Sequence, residues 1–314
     1  MIFHSKKPHF AIVDEGVEIG KKFKKHSLIN AVLREVLRNK KSIKINGENI
    51  PRVFKDICEE MFSSKEICSY IYKSFFHKPK NYQISIHDIK NAIYKNRVSY
   101  LEKELEPCSF VQDIANFEII NAVKDLYKDK KIIDVCAAPG GKSILLHSYG
   151  FEVEAIDKSQ RQIDKFIQNI NRMKLEIKIT NQDFLKSKIT NQYNSILLDA
   201  PCSALGTYRR NPDVISKIDE KKLKYNQDNQ IKMLEKSLKL LKKGGVLIYI
   251  VCSFHSFETK GVIDKILQKH KSINIKNIQS DKMIKIKNGY LINPISFKDL
   301  GGSDIFFVTA LKKN

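Results

Sequence analysis

The sequence predicts an α/β fold, a doubly wound and mostly parallel sheet, over its C-terminal two thirds. Between residues 130 and 270, short apolar runs alternate with helical stretches, the pattern of successive strand–helix–strand units. The run 132–135 passes through small residues and a Pro-Gly-Gly turn into Lys142, Ser143 and the apolar 144–146. That is a buried strand, a tight turn and the start of a helix. A further run, 151–156, ends on the acid Asp157, where folds of this class hold a ribose.

The preceding elements follow in order. Residues 1–40 read as helical: Ile12, Val13, Val17 and Ile19 precede a basic turn, and Leu28, Ile29, Val32, Leu33, Val36 and Leu37 recur at helical spacing. Phe54, Ile57, Met61 and Phe62, then Ile67, Ile71, Phe75 and Phe76, predict two short helices. Residues 81–96 read as a strand and a helix. Lysines and tyrosines interleave over 70–82, a pattern that suits a solvated basic face or contacts to phosphates and bases. Pro107 begins a new unit, with a short strand and a helix through Val123.

Beyond the turn, Ser159 is a candidate cap for helix 160–173. A third strand is expected at 175–179 and a fourth at 195–199. Helix 223–241 should stop at Gly244-Gly245, followed by strand 246–251 and a closing strand, 305–311.

With 314 residues there is room for a large domain and a smaller one. No long apolar run suggests a membrane span, and the N-terminus lacks an apolar signal core, so a cytoplasmic protein is expected. A monomer is expected as well. The charge is +21, from 56 Lys+Arg against 35 Asp+Glu, which points to a polyanionic partner with nucleic acid first. The six cysteines form no Cys-x-x-Cys pair and no His pair accompanies them, so neither a zinc site nor any other metal is expected. Two nucleotide-binding turns are excluded by spacing. Cys136 stands where a P-loop needs glycine, and Gly-x-Gly-x-x-Gly cannot be written over the turn. Cys136, Cys202 and Cys252 each come at or just beyond the end of a predicted strand, so the three should share one edge of the sheet.

The stretch Asp134-Val135-Cys136-Ala137-Ala138-Pro139-Gly140-Gly141-Lys142-Ser143 resembles the S-adenosylmethionine-binding turn of RNA cytosine-5 methyltransferases, D-[LV]-C-A-A-P-G-G-K-[ST]. Val111-Gln112-Asp113, Asp199-Ala200-Pro201-Cys202-Ser203, Arg209-Arg210-Asn211-Pro212-Asp213 and Val251-Cys252-Ser253 resemble further motifs of the Sun/nucleolar-protein family, in its 16S ribosomal RNA methyltransferase B branch. Residues 27–34 are similar to the end of the helical, NusB-like domain of that branch. The resemblance implies a Rossmann-like S-adenosylmethionine-dependent methyltransferase domain at 108–314. A shortened, mainly helical region would precede it: a truncated NusB-like segment at 1–40 and a small adaptor at 41–107.

The resemblance further implies that residues 136–142 line the methyl donor, that Asp157 binds its ribose, that Asp183 lies beside adenine, and that Asp199 faces both donor and cytosine. Carbon 5 of cytosine is too weak a nucleophile to take a methyl group until a thiolate adds at carbon 6. By residues alone that thiol is open: a Pro-Cys pair, as in DNA enzymes, selects Cys202. The RNA family implies Cys252, with Cys202 assisting release and Lys142 favouring thiolate or touching substrate. Arg209 and Arg210 would grip RNA phosphates. Two departures stand out: Val251 replaces the family's threonine, and Glu258-Thr259 its Glu-Asn. Transfer RNA as substrate, or an RNA-binding assembly factor without turnover, are the alternatives.

Overall fold

The computed structural model describes residues 8–22, 24–39, 50–77, 79–86, 98–101, 104–105 and 108–314. The chain divides into two compact units, Met1–Asn49 and Ile50–Asn314. In the first, helices α1 (His9–Lys22) and α2 (His26–Arg38) form a hairpin. Glycine lets them approach: a Cβ on Gly16 would lie 2.5 Å from Leu33 Cδ1, and one on Gly20 would lie 2.9 Å from the His26 Cα.

The second unit begins with α3 (Arg52–Met61) and α4 (Lys65–Ser74). Strands β1 (Tyr82–Ser85), β2 (Val98–Tyr100) and β3 (Ser109–Val111) then form a small antiparallel sheet in the order β2-β1-β3. Asp113 caps α5 (Ile114–Val123) by accepting from Ala115 N. The main sheet starts with β4 (Lys131–Val135), and the Pro-Gly-Gly turn leads into α6 (Gly141–Ser148). It continues through β5 (Glu152–Asp157), α7 (Gln160–Arg172), β6 (Lys178–Asn181), β7 (Tyr193–Asp199), α8 (Glu220–Leu240), β8 (Leu241–Val251) and α9 (Lys260–Lys269). Strands β9 (Ile273–Lys276), β10 (Met283–Ile286), β11 (Gly289–Ile292) and β12 (Phe307–Lys313) complete it.

Strands β6, β5, β4, β7 and β8 lie side by side and parallel, and β12, β11 and β10 extend the sheet antiparallel. Side chains alternate between the faces along each strand. Ile133, Val135, Leu198 and Tyr249 face a core shared with α3, α4, α8 and α9, whereas Ile132, Leu197 and Ile248 face one shared with α5, α6 and α7. Covering both faces is why these strands read as continuous apolar runs. The expected α/β architecture is present.

Residues 50–86 are built into the same unit as 108–314. The Phe54 ring lies 5.0 Å from that of Tyr208 and 5.9 Å from that of Phe254, and Ile84 pairs with Phe110 across β1 and β3. Two boundaries differ from expectation. Helix α8 ends at Leu240, because Leu241 already pairs with Tyr193; Gly244-Gly245 instead falls within β8, where the register jumps from Leu241 to Val246. The third strand begins at Lys178 rather than 175. Of the strand and helix expected over 81–96, β1 is present, and residues 87–96 lie outside those described.

Candidate active site

Because β5, β4, β7 and β8 are parallel, their carboxyl ends share one edge, and Cys136, Asp157, Asp199 and Cys252 all stand there. The turn after β4 needs its unusual residues. Cys136 and Gly140 adopt positive φ, 62° and 105°. A Cβ on Gly140 would lie 2.6 Å from the Phe166 ring, and one on Gly141 would lie 2.6 Å from the Gln112 amide. Asp157 braces the turn from the next strand: its carboxylate accepts from Ala138 N at 3.1 Å and Ser159 N at 2.8 Å. Ser159 occupies the cap position of α7, but its side chain makes no capping bond there.

Asp183 sits after β6, accepting from Leu185 N at 2.9 Å. The turn it opens is held by the Lys236 ammonium, which donates to the carbonyls of Phe184, Leu185 and Ser187.

Beneath the turn, Ser143 Oγ donates to the buried Asp134, whose other carboxylate oxygen has no partner. Burial, chiefly, pushes the Asp134 pKa up to about 7. Its folded value therefore lies above the unfolded one near 3.9. The carboxyl costs the folded state nothing below that lower value, and the penalty grows as pH rises through the window up to about 7. Asp134→Asn should therefore raise stability at pH 8 by roughly 3–4 kcal/mol relative to its effect at pH 4. Denaturant titrations of both proteins at the two pH values check this; equal differences at both would refute the assignment.

The reactive groups converge between β4, β7 and β8. Cys202 Sγ lies 3.3 Å from Cys252 Sγ. Lys142 Nζ lies 2.7 Å from Asp199 Oδ2, the lysine side chain 9% exposed and the aspartate 30%. The hydrogen bond with Cys252, and then burial, push the Cys202 thiol well up from its ordinary value, so Cys202 carries its proton.

Glu258, which the sequence marked only through the Glu258-Thr259 departure, organises this loop. The Glu258 carboxylate is fully buried and accepts from Ser203 N at 2.7 Å, from Ser203 Oγ and from Asn226 Nδ2 at 2.9 Å. It thereby ties the segment bearing Cys202 to the one following Cys252. Its only sequence signal was its place shortly after Cys252, since its partner Ser203 is 55 residues away.

Gly206 completes the clamp. Its N–H donates to Cys252 O and its carbonyl accepts from Ile305 N, both at 3.0 Å. A Cβ there would lie 1.8 Å from Ile305 O. Gly206→Ala should cost about 3 kcal/mol or more. A thermal midpoint within a degree of the parent's would refute that close approach.

The arginine pair is engaged within the chain. Arg209 is buried and donates to the carbonyls of Ser303, at 3.1 Å, and Gly301. Arg210 pairs with Asp304 at 3.1 Å and with Asp113. These guanidiniums tie the 209–213 loop to residues 301–304 and to the entry of α5. Burial and the neighbouring Asp113 push Asp304 up to about 7.

Beside the Lys142–Asp199 pair lies a cavity of about 310 Å³, lined also by Tyr82, Gln112, Asn116, Arg210 and residues of the turn after β4. Gln112 Oε1 and Asn116 Oδ1 are buried without partners. Among the described residues no cluster of metal-binding side chains occurs, and no helix is long and apolar enough to cross a membrane.

The model of the family described as 16S rRNA methyltransferase RsmB/F matches residues 122–312, more than half of the chain. The chain belongs to this family. It is 31% identical over 208 residues to ribosomal RNA small subunit methyltransferase B of Photorhabdus laumondii, covering 65% of this chain and 46% of that protein. The Thermus thermophilus protein of the same name is 26% identical over 185 residues, covering 59% and 45%. The chain thus spans about half the length of the curated relatives it matches. A methyltransferase homologue from Pyrococcus horikoshii superposes with a TM-score of 0.64 at 18% identity, over 84% of this chain and all of that one. NSun6 from the same organism, solved with SFG, gives 0.58 at 24% identity, over 69% and 59%. These likenesses establish the fold, a Rossmann-like methyltransferase domain preceded by helices.

Proposed function

We propose that the chain transfers a methyl group from S-adenosylmethionine to carbon 5 of a cytidine in RNA, with 16S ribosomal RNA as substrate. The observation that carries this reading is the Cys202–Cys252 pair, 3.3 Å apart, beside the Lys142–Asp199 pair at the sheet edge. At that separation one thiol can add to a pyrimidine while the other is close enough to act on the same ring.

The residues present fit the donor. Each oxygen of Asp157 already accepts one backbone N–H, yet a carboxylate oxygen can accept two, so ribose hydroxyls can still bind. The turn from Cys136 through Ala137, Ala138, Pro139, Gly140 and Gly141 to Lys142 would border the methionine portion, and Asp183 the adenine. When bound, S-adenosylmethionine supplies an electrophilic methyl group.

Cys252 adds as thiolate to carbon 6 of cytosine, forming a carbon–sulfur bond and making carbon 5 nucleophilic. Asp199, oriented by the Lys142 ammonium, faces the ring near N3 and stabilises the adduct. Cys202 takes the proton from carbon 5 once that carbon is methylated, and the bond to Cys252 sulfur breaks as the double bond re-forms. The main influence holding the Cys202 proton is its bond to Cys252. That influence ends when the Cys252 sulfur is bonded to carbon; Cys202 then releases its own proton to solvent, and its thiolate is the base that takes the carbon 5 proton. On this reading the protein is a cytoplasmic monomer, and residues 1–107 serve RNA recognition.

The test is transfer of labelled methyl to unmodified 16S RNA, transfer RNA and DNA. Label in 5-methylcytidine of 16S RNA is expected. Label in transfer RNA alone would move the substrate, and none in any nucleic acid would leave only an RNA-binding factor.

A further inference from the structure

A second cavity, of about 580 Å³, opens beside the catalytic one, and Tyr82 walls both. Its other walls include Tyr100, Phe297 and Leu300, with Lys282 and Asp299 among its polar groups. The small sheet creates this aromatic corner. Tyr82 and Tyr100 are directly opposed across β1 and β2, so both rings lie on one face, with centroids 5.5 Å apart. The Tyr82 hydroxyl donates to the carbonyls of Leu300 and Gly302, which fixes the shared wall. Lys80 crosses Gly301, where a Cβ would lie 2.9 Å from its Cδ, and sets its ammonium 4.0 Å from the Tyr100 ring centroid. Nothing in the proposed chemistry uses these residues.

We infer that this groove is a second nucleotide subsite, taking the base of the single-stranded RNA residue next to the target cytidine. The inference rests on the proposed RNA reading and names what that substrate must look like. Chemistry on carbon 5 requires the target base to leave its stack. Its neighbour then loses a stacking partner, and aromatic side chains are how proteins replace one. The groove offers an apolar and aromatic wall, an acid in Asp299 to accept from a base amino group, and ammonium groups in Lys80 and Lys282 for adjoining phosphates. Because Tyr82 lines both cavities, the subsite lies one or two nucleotides from the target on this reading.

The probe is a short oligouridylate carrying one central cytidine, with 5-iodouridine placed in turn at each flanking position. Irradiation of the full chain should cross-link an adjacent iodouridine to the peptide bearing Tyr82 or Tyr100. Tyr100→Ala should weaken binding about five- to a hundredfold by fluorescence anisotropy, whereas Tyr100→Phe should bind like the parent. Lys80→Gln with Lys282→Gln should flatten the salt dependence. Tyr100 lies on an edge strand, and thermal unfolding of Tyr100→Ala together with its binding of S-adenosylmethionine controls for folding. Methyl transfer by the parent with unchanged binding by Tyr100→Ala, or cross-links confined elsewhere, would overturn the groove alone. A parent that neither binds nor methylates any RNA would overturn the functional reading and the groove with it.

Discussion

Cys252→Ala should lower methyl transfer roughly ten-thousandfold or more, the size expected if it removes a covalent nucleophile. Cys202→Ala is also inactive in turnover, but for the opposite reason. Cys252 still attacks and the methyl group still arrives, yet the proton at carbon 5 has no base, so RNA remains bonded to the protein. A band resistant to denaturing electrophoresis is therefore expected from Cys202→Ala and from no variant lacking Cys252. The 3.3 Å separation makes the two roles hard to distinguish by geometry alone, and this asymmetry is what separates them. An adduct in Cys252→Ala that disappears in Cys202→Ala would exchange the assignments.

Asp199→Asn is expected to act twice. It removes the carboxylate that is proposed to face the cytosine, which should lower kcat about a hundred- to a thousandfold. It also leaves the Lys142 ammonium, 9% exposed, without the partner now 2.7 Å away. An unpaired buried charge costs about 3–5 kcal/mol, less here because Asp199 itself is 30% exposed and water can partly replace it. Removing both charges, as Lys142→Met with Asp199→Leu, should restore most of the stability while leaving the protein inactive. Urea unfolding and single-turnover methylation of the three variants measure the two effects separately. Should the double variant be no more stable than Asp199→Asn, the pair is not the electrostatic unit described.

Much of the sheet was legible because its strands are buried on both faces, which leaves apolar runs too continuous to miss. The turn at 136–142 was legible because its glycines and positive-φ positions tolerate few other residues. What escaped notice depends on contacts distant in sequence. Glu258 looks like an ordinary acid until Ser203 and Asn226 are brought to it. The partners of Arg209 and Arg210 in residues 301–304 and Asp113 are likewise too distant in sequence to be read from the motif. The hairpin of β10 and β11 went unread although its turn, with Asn288 at φ 66° followed by Gly289, carries the Asn-Gly hairpin signal. Gly244-Gly245 misled because the same dipeptide that ends helices also accommodates an irregular strand.

The most direct test of the central claim uses RNA in which cytidine is replaced by 5-fluorocytidine, whose carbon 5 has no proton to release. Incubated with the protein and S-adenosylmethionine, digested and analysed by mass spectrometry, it should yield a methylated nucleotide bonded to the peptide containing Cys252. A nucleotide on the Cys202 peptide, or no adduct under conditions where the methyl donor is bound, would contradict the account.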